Sequence, residues 1–272
     1  MAFTRPRGTR DFLPEEMARR RYVEGVMREV FESFGYGEVQ TPTFESLELI
    51  TAKAGEDIRR HLYHFKDKAE RDLALRPELT APVMRLYINE LKFSPKPVKV
   101  YYIGNCFRYE EPQSGRYREF WQAGVELIGP PHEEAEAEAI ALAMATLERL
   151  GLEGFEVHIG HIGVLRRILE DGGVREEDQN PVMNAIDKGE EAALKGLLEK
   201  LQVPEESRGV LLAILELEGP KREVLGKARA LLAGRTGVLE ELERFERVLC
   251  ALGCFGVEGY RVDLGIARGL DY

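Results

Sequence analysis

NCFRYEEPQSGRYREFWQAGVELIG, Asn105 to Gly129, decides how this chain is read. It sets charged side chains inside two segments of strand character. The first runs roughly from Val98 to Glu110 and the second from Glu119 to Ile128. Pro112, Ser114 and Gly115 between them favour a turn. Successive side chains of a strand point to opposite faces. Trp121, Ala123, Val125 and Leu127 therefore share an apolar face that calls for a core, while Phe120, Gln122, Gly124 and Glu126 share the other. In the first strand Arg108 and Glu110 share a face with Gly104 and Cys106. Polar groups on one side of an otherwise apolar hairpin make a floor for an anionic or zwitterionic molecule. Spacing alone equally allows an antiparallel sheet with one face in water.

The chain has 272 residues, enough for one large domain or two smaller ones, and 44% of them are hydrophobic, so a sizeable core can form. No apolar run approaches the roughly 18 residues of a membrane span. The opening MAFTRPRGTR has no apolar segment behind its basic residues and is no secretory signal, which points to the cytoplasm. Three cysteines, Cys106, Cys250 and Cys254, make no disulfide framework. Cys250 and Cys254, one helical turn apart with no His beside them, read as packing residues rather than metal ligands. The net charge of -10 excludes a generally basic nucleic-acid binder, so any RNA contact would use local basic clusters. The 32% of charged residues hints at heat adaptation.

Outward from the hairpin, Pro14 suits the first turn of a helix running to about Ser33, with Glu15 and Glu16 at its positive end and Gly35 behind it. Glu38 to Thr43 reads as a strand entering Pro42, Phe44 to Ala54 as a short helix, and His61 to Lys66 and Asp72 to Leu75 as strands. Arg76 to Pro82, RPELTAP, forms a junction with Thr80 as N-cap of a helix reaching about Leu91. There Arg76 and Glu78 are either binding residues or an ordinary ion pair. A helix from about His132 to Leu150 would bury Ala135, Ala139, Ile140, Ala143, Met144, Leu147 and Leu150. Phe155 to Gly160 reads as a strand, and His158 within it and His161 after it are structural. From Ile162 to about Leu252 the pattern gives five or six short helices and no strands, an insertion into a sheet domain. Gly259 to Tyr272 returns to strand, and the abrupt end at Tyr272 reads as that of a fragment.

Four segments together resemble a histidyl-tRNA synthetase of the archaeal type, a class II aminoacyl-tRNA synthetase. They are RGTRDFLP (Arg7 to Pro14), LRPELTAP (Leu75 to Pro82), FRYEEPQSGRYREFWQAGVE (Phe107 to Glu126) and ARGLDY (Ala267 to Tyr272). The third is similar to motif 2 of class II enzymes and the fourth to the histidine-specific signature RGLDYY. The resemblance implies an α+β fold, a class II synthetase-like antiparallel sheet flanked by helices, with an all-helical insertion. It implies a catalytic core over 1–161, the insertion over 162–252 and a return to the core over 253–272. It implies ATP-dependent formation of histidyl-adenylate and transfer of the histidyl group to tRNA(His), in a homodimer built through the motif 1 region, which the first long helix and the Pro42 strand fit.

By the same resemblance Arg108 holds the α-phosphate, Arg116 the distal phosphates, and Phe120 stacks on adenine, with Glu110 near the nucleotide. Glu78, Thr80 and Gln122 bind the ammonium of L-histidine and Glu126 accepts from its imidazole. Arg268 bridges the α-phosphate and the substrate carboxylate, a catalytic role shared with Arg108, and Tyr272 lines the imidazole pocket. Mg2+ is expected with ATP, held by phosphates and water rather than by protein ligands. The second tyrosine of RGLDYY, motif 3 and the anticodon-binding domain are missing, so the chain alone is expected to be inactive or impaired in adenylation. A regulatory subunit of ATP phosphoribosyltransferase shares the fold and the short length. The intact RGLDY and the full residue set favour the synthetase, and Glu126 with RGLDY disfavours a synthetase for another amino acid.

Overall fold

The structure is a computed structural model that describes residues 3–52, 60–109, 116–129 and 131–267. The chain divides into two compact units. Among the described residues the first holds those up to 129 together with 131 and 142–152, and the second holds 132–141 and 153–267.

In the first unit, helix α1 spans Pro14–Ser33 with the proline in its first turn, as its spacing predicts. The Glu16 carboxylate reaches back to the Leu13 N–H at 3.1 Å, which meets one of the orphan donors at the helix start. Strand β1, Gly37–Glu38, runs parallel to the first hairpin strand beside Val100 and Tyr101 and is far shorter than the expected 38–43. Pro42 has no N–H for a ladder, and the carbonyls of Thr41 and Pro42 both accept from the Arg76 guanidinium instead. Strand β2, Phe44–Ser46, occupies what was expected as the first turn of a helix. Its residues pair with β4, so helix α2 covers only Leu47–Thr51, capped by Ser46 Oγ. Strands β3, His64–Lys66, and β4, Asp72–Leu75, complete an antiparallel sheet in the order β2-β4-β3.

Helix α3, Thr80–Leu86, continues into a wider π turn over Tyr87–Leu91. Thr80 is not its N-cap. Leu79 stands at that position, and the Glu78 carboxylate does the capping, accepting from the N–H groups of Thr80 and of Ala81, the latter at 2.9 Å. A carboxylate is the stronger acceptor at the positive end of a helix.

The hairpin strands are β5, Val98–Phe107, and β6, Glu119–Ile128, paired antiparallel along their whole length. The expected extension of β5 to Glu110 stops at Phe107 in the ladder, and Glu110 lies outside the described residues. One face meets α1 and helix α4, Glu133–Arg149, where Phe31, Tyr36, Tyr101 and Leu142 form a core joined by Val125 and Leu127. Trp121, expected in that core, is 37% exposed instead. The other face is covered near Val98, Val100 and Ile128 by Leu79 and Val83. The stripe expected on α4 is displaced: Ala137, Ala141, Leu142 and Met144 are buried, whereas Ala139 and Ala143 are exposed. Alanines occur all round this helix, so spacing does not fix which side faces inward.

The second unit carries a small sheet in the order β7-β9-β8. Strand β7 is Val157–Ile159 and runs parallel to β9, Tyr260–Asp263, while β8, Glu218–Gly219, lies antiparallel to β9. Strand β8 interrupts a segment expected to be free of strands, since two residues are too few to leave a period in sequence. Six helices occupy the described residues from Ile162 to Cys254. The last of them, Thr236–Cys254, is long and buries Val238, Leu242, Phe245, Val248, Leu249 and Leu252. Cys250 and Cys254 fall on the opposite side of that helix and are exposed, so they do not pack as expected. His161 is structural: it stacks on Phe245, ring centroids 5.4 Å apart, and bonds Glu241 at 2.8 Å.

Arg76, 4% exposed, is the tie of the first unit. Arg76→Met leaves the acceptors of Thr41, Pro42 and Asn105 without their donor and is expected to lower unfolding stability by roughly 3 kcal/mol or more. Urea unfolding followed by circular dichroism measures this, and a loss under about 1 kcal/mol would contradict the role.

Candidate active site

The β5–β6 register sets the floor. Val100 stands opposite Glu126, Tyr102 opposite Gly124, Gly104 opposite Gln122 and Cys106 opposite Phe120. All eight side-chain positions share one face. Both glycines make room there. A Cβ at Gly124 would lie 2.5 Å from the Tyr102 hydroxyl, and one at Gly104 would lie 2.8 Å from an Arg76 Nη. Replacing either would push the floor's polar groups out of place.

The Tyr102 hydroxyl sits 3.2 Å from Glu126 Oε1, to which it donates, and 3.5 Å from Thr80 Oγ1. Thr80 and Glu78 arrive on the turn that opens α3, so one loop brings both beside Glu126. Burial raises the Glu126 carboxyl above its ordinary value, hydrogen bonds from Thr80 and Tyr102 pull it part of the way back, and the nearby charge of Glu78 raises it further. Burial, with the Glu126 charge adding to it, lifts the Tyr102 phenol well above the usual tyrosine range, so this hydroxyl remains a donor. Cys106 is fully buried, its thiol pushed up to about 12 chiefly by desolvation, and its Sγ lies 3.3 Å from Gln122 Oε1.

Beside this pocket Arg108 donates through Nε to the Pro77 carbonyl at 2.9 Å, and its guanidinium stands 5.1 Å from the centre of the Phe120 ring. Two carboxylates with hydroxyl and amide groups suit a cation with further N–H donors. A guanidinium next to an aromatic face suits a phosphate attached to a flat base.

The fold thus draws together Glu78, Thr80, Arg108, Phe120, Gln122 and Glu126. Arg116 is exposed at the end of the hairpin loop. Glu110, Arg268 and Tyr272 lie outside the described residues. Tyr102 and Cys106 are the groups that sequence reasoning passed over as site members. The signal was available, since both alternate with Gly104 and Arg108 along β5. Arg76, one of two residues singled out at the junction, is a structural tie.

On the opposite face of the hairpin the Arg20 guanidinium lies 3.7 Å from the centre of the Trp121 ring, which meets Phe12 edge-on at 5.5 Å. These residues border a cleft of about 450 Å3 lined by α1 and β6. Among the described residues, one trio of possible metal ligands, His158, Glu218 and Asp263, brings its donor atoms within 4.8 Å of one another. Arg261 already supplies a cation to Glu218 at 3.0 Å, and Asp263 accepts from the Gly265 N–H at 2.8 Å. No helix of the described residues is long and apolar enough to cross a membrane.

An α+β unit with a long antiparallel hairpin and a polar pocket on one face is the class that this geometry defines. Comparison with known proteins makes it particular. The family described as histidyl-tRNA synthetase matches residues 8–272. Histidine–tRNA ligase of Methanosarcina acetivorans is 51% identical over the whole chain, and that of Methanocaldococcus jannaschii 50% identical over 99% of it. The chain spans 63% and 64% of the length of those two relatives. A crystal structure from Bacillus halodurans, described as an ATP phosphoribosyltransferase regulatory subunit/histidyl-tRNA synthetase, superposes with a TM-score of 0.85 at 30% identity, covering 97% of this chain and 69% of that one. Histidyl-tRNA synthetase from Nostoc sp. PCC 7120 gives 0.82 at 25% identity, covering 100% of this chain and 63% of that one. The chain belongs to the histidyl-tRNA synthetase family.

The raised Glu126 carboxyl carries a stability signature. The folded state holds this proton more tightly than the unfolded chain, so the charged carboxylate costs stability above its folded-state pKa, and the cost shrinks as pH falls below that pKa and is gone below the ordinary carboxylate value. Glu126→Gln is expected to melt a few degrees above the wild type at neutral pH, with the gap closing towards about pH 4. Thermal melts across that range test this, and a gap independent of pH would contradict it.

Proposed function

We propose that this chain carries the amino-acid activation site of a histidine–tRNA ligase. L-Histidine and ATP would combine there to histidyl-adenylate and pyrophosphate, and the histidyl group would pass to tRNA(His). The observation that carries the reading is the pocket itself: Glu78 and Thr80 stand beside Glu126, and Gln122 lies further along the same face with Phe120 and Arg108. The names of the relatives at about half identity support the ligase over the regulatory subunit of ATP phosphoribosyltransferase.

The chemistry is attack of the histidine carboxylate on the α-phosphorus of ATP, with pyrophosphate leaving. Such a reaction needs alignment and charge neutralisation more than covalent help. Arg108 would hold the α-phosphate, its guanidinium aimed by the bond to Pro77. Phe120 would stack on adenine, and Glu110 and Arg116 would attend the nucleotide. The substrate ammonium would lie among Glu78, Thr80 and Gln122. Glu126, fixed by Tyr102, would accept from an imidazole N–H, and an apolar side chain of similar shape would leave that buried carboxylate unpaired. Arg268 would bridge the α-phosphate and the substrate carboxylate, and Tyr272 would line the imidazole pocket. Mg2+ would arrive on the ATP phosphates, where it would neutralise charge. The capping bonds already taken by Glu78 fit a metal held by phosphate and water.

The same reading assigns 1–161 and 253–272 to the catalytic core, 162–252 to an insertion, and α1 to a homodimer interface, for which its exposed Tyr22 and the neighbouring cleft speak. The three free cysteines suit a reducing cytoplasm.

ATP–pyrophosphate exchange with each of the twenty amino acids tests the proposal. Such exchange as the chain supports, impaired as its sequence predicts, is expected with histidine alone. It should fall at least a hundredfold in Arg108→Ala, the scale of losing one transition-state charge contact. Exchange driven by another amino acid, or undiminished in Arg108→Ala, would overturn it.

A further inference from the structure

We propose that the Cys106 thiol is a positioning residue for substrate binding: its S–H donates to Gln122 Oε1 and fixes which way the Gln122 amide faces the pocket. This deepens the histidine-activation reading and rests on it for the identity of the substrate.

The geometry is direct. Cys106 and Gln122 lie on one face of neighbouring strands, on adjacent register pairs, Sγ 3.3 Å from Oε1. Cys106 has no exposed surface and sits against Leu79, Val83 and Phe120. Its burial keeps the thiol protonated across the physiological range, so a donor is always present. An amide carbonyl accepts an S–H better than an amide N–H bonds to a neutral sulfur. The bond therefore favours the rotamer with Oε1 towards β5. A carbonyl oxygen has two lone pairs, so the one that faces the thiol leaves a second for a substrate N–H. Without the thiol, the amide could turn its NH2 to the same place and present a donor to a cation. The inference predicts that Cys106 acts on amino-acid affinity and leaves the nucleotide side, Arg108 and Phe120, alone.

Two measurements test it. The first needs no substrate. In a Cys250→Ser/Cys254→Ser background the only S–H stretch in the infrared spectrum belongs to Cys106. Gln122→Leu should move that band to higher frequency, as expected for a thiol that has lost its acceptor. An unmoved band overturns the inference, whatever the protein does with histidine.

The second compares Cys106→Val, which fills the space without a donor, with Cys106→Ser, which keeps one. In calorimetric titration Cys106→Val should raise Kd for histidine roughly three- to tenfold, the scale of one neutral hydrogen bond, with Kd for ATP unchanged. Cys106→Ser should restore most of the loss. Equal effects of both variants, or an effect on ATP alone, overturn the positioning role. A band shift in the first measurement with no calorimetric binding of histidine to the wild type would leave the thiol–amide bond standing, refute the histidine reading, and overturn the part of the inference that concerns substrate.

Discussion

A buried guanidinium holds the first unit together. The Arg76 backbone N–H donates to the Thr43 carbonyl and its own carbonyl accepts from the Phe107 N–H. Its side chain donates to the carbonyls of Thr41, Pro42 and Asn105 and to the Asn105 side chain. Desolvation pulls the guanidinium below its ordinary value, which is the cost of burying a charge among neutral acceptors. An arginine suits the place because its planar fork reaches acceptors on several segments at once, which an ammonium on a flexible stem does not. The residues that follow, Pro77 to Thr80, then leave in a fixed direction. They deliver the Pro77 carbonyl to Arg108 and Glu78 and Thr80 to Glu126.

The pocket that results is electrostatically unsettled. Two carboxylates lie close enough for the charge of one to raise the other. Glu78 is held by the helix start it caps, and Glu126 by Tyr102 and Thr80. A bound cation would relieve both. Sites that bind charged substrates are often destabilised when empty, and strain of this kind gives affinity for a ligand that removes it. An ion pair outside the pocket, Arg85 with both oxygens of Glu45, links α3 to β2 and steadies the same turn.

Much of this was legible in the sequence, and unevenly. Strand character bounded by turn residues gave both hairpin strands, and alternation of side chains grouped Phe120, Gln122 and Glu126 on one face. Helix α1 was legible because proline, acidic first turn and apolar spacing agree. The segment 38–54 was misread because its backbone answers to a distant partner: Arg76 takes the carbonyls that a strand would have used, and β4 claims Phe44 to Ser46 before α2 begins. Thr80 looked like a cap by residue type, but Glu78 reaches the same N–H groups from the preceding turn. Tyr102 alternates with Gly104 and Cys106, yet a tyrosine in an apolar strand reads as core; its register opposite a glycine gives its hydroxyl room to meet Glu126.

The central claim is that this floor recognises histidine through an acceptor for its imidazole N–H. Calorimetric titration with L-histidine and with its two ring N-methyl derivatives addresses that directly. The account predicts that methylation of one ring nitrogen abolishes detectable binding while methylation of the other is tolerated or weakens it less, because Glu126 needs one particular N–H. Equal binding of histidine and both derivatives would contradict it.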